Sequence, residues 1–138
     1  MRKGDPETLV EWLARLLVVR SCGYLEQVVR EIALGYIAQR SGGYVEAFAV
    51  SWVPEGKNPW PDYLVRWVGR FDKNLADDLD DLLEDDDERL RREVSFLVDR
   101  RNRIAHGLNE GIGGRKALDL KNVACEMAEW FTIQFDPT

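Results

Sequence analysis

Between Leu90 and Leu108 the apolar residues Leu90, Val94, Leu97, Ile104 and Leu108 recur at spacings that keep a single seam on a helix, and Arg101 occupies the missing place in it. This segment constrains the fold more than any other. A seam of that length requires a partner helix to cover it, and a guanidinium set into it requires an acid or an interface, because an unpaired buried charge is costly. Ser95, Asp99, Asn102 and His106 form a polar stripe beside the seam, and Gly107 follows where a helix C-terminus is expected.

The rest of the chain reads as helix too. Asp5-Pro6-Glu7 announces a first helix, with an N-cap acid and proline at its first position. Leu9, Leu13 and Leu16 follow at helical spacing, and Leu25, Val28, Val29, Ile32 and Tyr36 resume the pattern beyond Ser21-Cys22-Gly23. This predicts one long kinked helix or two in series, stopped near Arg40 by Ser41-Gly42-Gly43. Residues 44–53 alternate as a strand would, yet no second strand stands ready to pair with them, so helix is the better reading. The stretch from Pro54 to Pro61, with Pro59 between them, is a connector. Residues 62–71 then read as helix, with Leu64, Trp67 and Val68 on one side.

Leu75, Leu79, Leu82 and Leu83 mark a short acidic amphipathic segment. A last helix carries Leu120, Val123, Ala124, Met127, Trp130 and Phe131, with Asp119 as its N-cap. The expected architecture is all-α, an up-and-down bundle of four to five main helices, with residues 1–138 forming one domain. The Trp residues are expected in the core rather than as base-stacking platforms.

Composition limits what such a bundle does. Hydrophobic residues make up 45% of the chain and charged residues 32%, which suits a packed core and excludes disorder. No apolar run approaches a membrane span, and Glu11 and Arg15 interrupt the first apolar stretch, so a cytoplasmic protein without a secretory signal is expected. One histidine and two scattered cysteines, Cys22 and Cys125, offer no zinc-ligand spacing. No metal or cofactor is expected, and both cysteines read as small core residues.

The net charge of -6 argues against a nucleic-acid partner until its distribution is considered. Acid is concentrated between Asp77 and Glu88, and arginine follows at once in Arg89, Arg91, Arg92, Arg100, Arg101 and Arg103. Intrahelical ion pairs account for the first three. Asn102 and His106 lie one turn apart on one face, and the long side chain of Arg101 reaches round to them. An imidazole for proton transfer, an amide for positioning and a guanidinium for phosphate charge make a set suited to cleaving RNA without a metal. In that chemistry the ribose 2′-hydroxyl attacks the adjacent phosphate and the 5′-oxygen leaves.

The run Arg101-Asn102-Arg103-Ile104-Ala105-His106-Gly107 resembles the signature of HEPN ribonucleases: arginine, a polar residue, three variable residues, histidine. The long opening helices, the motif late in the chain and a single closing helix agree, so the resemblance covers most of the sequence. It looks closest to the RiboL-PSP-HEPN branch. The resemblance implies metal-independent endoribonuclease activity, a homodimer that brings two motifs together across a cleft, and the toxin roles that many relatives have in toxin–antitoxin or defence systems, with an antitoxin protein as a candidate partner. Carried over by position, Arg101, Asn102 and His106 are the catalytic residues, and Arg100 and Arg103 are candidates for RNA backbone contacts. The alternative is a non-catalytic HEPN-like module for dimerisation, scaffolding or nucleotide binding, with His106 a helix cap and Arg101 the ion-pair partner of an acid on another helix. A third reading makes Asp77–Glu88 an acidic protein-interaction surface.

Overall fold

The structure, a computed structural model, describes residues 6–107 and 111–136. Five helices follow in order: α1 (Pro6–Arg40), α2 (Gly43–Ser51), α3 (Pro61–Gly69), α4 (Lys73–Ala105) and α5 (Gly114–Gln134). Among the described residues there is no strand, and the all-α bundle expected from the periodicity is what the chain forms. Asp5 and Leu108, read as the first N-cap and the end of the seam, lie outside the described residues.

α1 runs unbroken for 35 residues, through Gly23, and so is one helix rather than two in series. It stops at Arg40, and the Ser41 hydroxyl donates to the Ile37 carbonyl at 2.6 Å. Residues 43–51 are helical, as the absence of a partner strand required. α3 opens on Pro61 at its first position, and Asp72 caps α4 by accepting from the Asn74 backbone N–H at 2.8 Å.

α4 is broken inside. Asp85 is extended, and Asp86, Asp87 and Glu88 all have φ between 53° and 60°. Arg91 nevertheless bonds Asp80 at 2.6 Å, although a straight helix would separate these residues by roughly 16 Å along its axis. The chain therefore reverses at residues 85–88 and α4 is a helical hairpin. Its acidic arm and its basic arm correspond to the two segments legible in the sequence.

α5 lies mainly along α1, α3 packs on α4, and α4 also meets α1 and α5. Val18, Leu25, Leu97, Leu120, Met127 and Phe131 are fully enclosed between them. An aromatic group closes one end, with Tyr36 and Phe71 at 5.7 Å and Phe71 and Phe135 at 5.3 Å between ring centroids.

Four expectations are corrected. α5 starts at Gly114 with Gly113 as N-cap, and Asp119 sits inside it paired with Arg115, because the glycine loop ends earlier than its composition suggests. Cys125 is exposed, whereas Cys22 is buried, and both are free thiols. Arg89 and Arg91 keep pairs within α4, to Asp86, Glu88 and Asp80, but their closest partners lie on other elements, Glu126 at 2.8 Å and Asp62 at 2.5 Å. Trp67 is core, but Trp12, Trp52 and Trp60 are exposed. Leu9, Leu13 and Leu16 also face outward, each more than half exposed. α2 buries none of its residues, and Tyr44 on it is 95% exposed.

Candidate functional site

The last two turns of α4 and its C-cap carry all five candidate residues. Leu90, Val94 and Leu97 bury the seam as the spacing requires, and Ile104 packs against the same core. Arg101, in register with them, points at α1. Its Nη2 lies 2.6 Å from a Glu26 carboxylate oxygen, with side-chain exposures of only 23% and 17%. Cys22, one turn before Glu26, borders the same pair. Burial pushes the Cys22 thiol up, against a smaller downward pull from Arg101, so it stays protonated. Burial also pulls Arg101 down, but its contacts with Cys22 and Glu26 more than offset this and its guanidinium ends above its ordinary value. Because the thiol is neutral, Glu26 is the charge partner that matters.

Asn102 is half-buried and His106 is exposed, one turn on. The His106 backbone N–H donates to the Asn102 carbonyl at 3.0 Å, so the cap itself fixes the spacing of the two side chains. His106 is the C-cap, with φ -85° and ψ 9°. Gly107 follows with φ +75° and donates to the Ile104 carbonyl at 3.1 Å, as in a Schellman-type ending. A left-handed residue is needed here, which is why glycine stands after the histidine. Among the described residues, no side-chain hydrogen bond holds the imidazole, which faces solvent.

Arg100 and Arg103 turn to other partners. Arg100 donates to the Gly111 carbonyl at 3.0 Å and lies over the Phe96 ring at 4.8 Å. Arg103 pairs with Asp99 at 3.0 Å. Arg103 therefore braces the end of the helix, and Arg100 ties it to Gly111. The Arg101 side chain turns to Glu26 on α1 rather than round to Asn102 and His106, so the helix end offers an amide and a solvent-facing imidazole on one face and a half-buried guanidinium against α1. Sequence reasoning missed Glu26. Its only local signal is an acid at the edge of an apolar stripe on α1.

The chain belongs to the RiboL-PSP-HEPN family, whose family model matches residues 2–136. It has no significant match among curated proteins or among solved structures.

Proposed function

We infer that this member of the RiboL-PSP-HEPN family is a metal-independent endoribonuclease. The observation that carries the reading is the placement of Asn102 and His106 one turn apart at a capped helix end, beside an arginine already held in one orientation. His106 moves protons between the ribose 2′-hydroxyl, the leaving 5′-oxygen and solvent. Asn102 positions the phosphate, and the donors of Arg101 not used by Glu26 meet the charge that builds on the phosphorane. Proton transfer of this kind is worth ~10²–10⁴-fold in rate.

A homodimer fits the same reading. Leu9, Trp12, Leu13 and Leu16 make an apolar stripe along the first turns of α1, and Trp12 is 66% exposed. Such a stripe is costly in water and favours a second copy of the chain. A toxin role with a protein antitoxin, in a cytoplasmic setting, completes the proposal. Among the described residues no helix is long and apolar enough to cross a membrane.

The pairing of Arg101 with Glu26 favours a second reading, in which the motif is structural and the protein a non-catalytic module. Incubation of a mixed RNA pool in EDTA separates the two. The nuclease leaves 2′,3′-cyclic phosphate ends, and His106→Ala, which alters an exposed side chain, stops cleavage without lowering the melting temperature. A wild type that leaves the pool intact supports the module.

A further inference from the structure

The connector between α2 and α3 does more than join them. Three adjoining clefts meet at Lys57 and Tyr63, one toward α1, one toward α4 and one toward the end of α2. Their walls combine cations with aromatic rings. Lys57 lies over the Tyr63 ring at 5.4 Å. Arg70 lies between Trp52, at 5.2 Å, and Trp67, at 5.6 Å. Arg66 lines two of the clefts, and Trp60 stands exposed at the mouth of one.

Charge is distributed unevenly over this surface. Among the described residues no carboxylate pairs with Lys57, Arg66 or Arg70, in a chain of net charge -6 whose other arginines are largely taken up by acids. The two carboxylates on the cleft walls are already neutralised, Asp62 by Arg91 and Glu26 by Arg101. Three cations without a carboxylate partner, set among rings of which Trp52 and Trp60 are exposed, fit a flexible polyanion that carries flat apolar groups. Single-stranded RNA has that chemistry, since its bases stack on aromatic faces while its phosphates meet the cations.

Two of the clefts reach residues that adjoin the motif. Glu26, which holds Arg101, lines the cleft on α1. Ser95 lines the one on α4 and shares the polar stripe that ends at Asn102 and His106. From Ser95 to His106 the helix rises roughly 17 Å, a distance that a few nucleotides span.

We propose that the cleft formed by α3 and the 52–60 connector binds single-stranded RNA, with Tyr63, Trp52 and Trp60 as stacking faces and Lys57, Arg66 and Arg70 as phosphate contacts, and leads the strand to the helix end at His106. It rests on the ribonuclease reading and adds to it where the substrate lies. Tyr63 suits the role: burial pushes its hydroxyl up, so it stays a neutral ring against which a base stacks. The proline-rich wall is preorganised, because Pro54 and Pro59 restrict the backbone that carries Lys57.

The test uses a fluorescent 2′-O-methyl oligouridylate of about ten nucleotides, within the site sizes of single-strand-binding grooves. The probe lacks the attacking hydroxyl, so binding is read apart from cleavage. Anisotropy should show binding by the wild-type protein that weakens as salt rises. Arg66→Ala combined with Arg70→Ala should weaken it about tenfold or more and flatten the slope of log Kd against log salt by about 0.7 for each cation lost. Lys57→Glu, on the exposed connector, should act in the same direction without altering a helix. Unchanged affinity in both variants overturns the proposal, and so does a wild type that fails to bind. Equal binding of polyglutamate also overturns it, since the surface would then be a general polyanion trap. The nuclease reading fails differently: the probe binds through the cleft, yet natural RNA stays intact.

Discussion

The Arg101 guanidinium sits 2.6 Å from the Glu26 carboxylate, 75 residues away in sequence, and this pair joins the motif helix to the middle of α1. Replacing Glu26 with glutamine keeps the shape but leaves a half-buried arginine without its counter-charge. A loss of roughly 1–3 kcal/mol in folding stability is expected from denaturant titration. RNA cleavage should fall with it, because Arg101 then loses its fixed direction. A double-mutant cycle with Arg101→Met should give a coupling above about 0.5 kcal/mol, and a smaller value would show the pair to be energetically idle.

Gly107 separates cap from chemistry. At φ +75° an alanine is strained by about 1 kcal/mol, so Gly107→Ala should lower the melting temperature. His106→Ala, by contrast, should stay within about 0.5 kcal/mol of wild type, as exposed substitutions usually do. Circular dichroism melts of the two variants side by side check this. The reverse order would mark His106 as the structural cap.

Trp12 and Leu13 bear on assembly. Sedimentation should find the wild type at twice the chain mass, with Trp12→Glu and Leu13→Glu monomeric and still helical. A monomeric wild type would leave the outward stripe of α1 without the second copy proposed for it.

The two cysteines should differ sharply toward an alkylating reagent. Cys125 should be modified in the native protein and Cys22 only on unfolding, read by mass spectrometry. A pH dependence follows from Cys22. Its thiol is raised above the ordinary 9.0 in the folded state, so above that pH the unfolded chain releases a proton that the folded one retains. Stability present below about pH 9 should therefore decline as pH rises further, and Cys22→Ala should remove part of that alkaline slope.

Much of this was legible along the chain. Arg101 announced its partner by interrupting a seam, and Gly107 marked the helix end, because both signals are local. Proline and glycine placed the connector and the end of α1 for the same reason. Glu26 was not legible, since an ion pair spanning 75 residues leaves no mark in either neighbourhood. Leu9, Leu13 and Leu16 carry the same spacing as buried leucines; periodicity reports a stripe and not whether another helix covers it. Asp119 looked like a cap because acids favour that position, but backbone geometry allowed Gly113 to serve without a side chain. Trp52 and Trp60 are exposed although the Trp residues are expected in the core, because burial is decided by neighbours distant in sequence.

The first and last helices, α1 and α5, share the most extensive contact in the fold. Folding order follows from that. The α4 hairpin closes over four residues and forms early, whereas α1 must keep an apolar flank open until residues 114–134 have left the ribosome. A chain arrested before α5 would already hold Arg101 and Glu26 on their two helices yet leave much of α1 uncovered. The contact of α1 with α5 is therefore the last of these helix pairings to form, and a binder that covers the open flank of α1 would hold the chain short of its closed bundle.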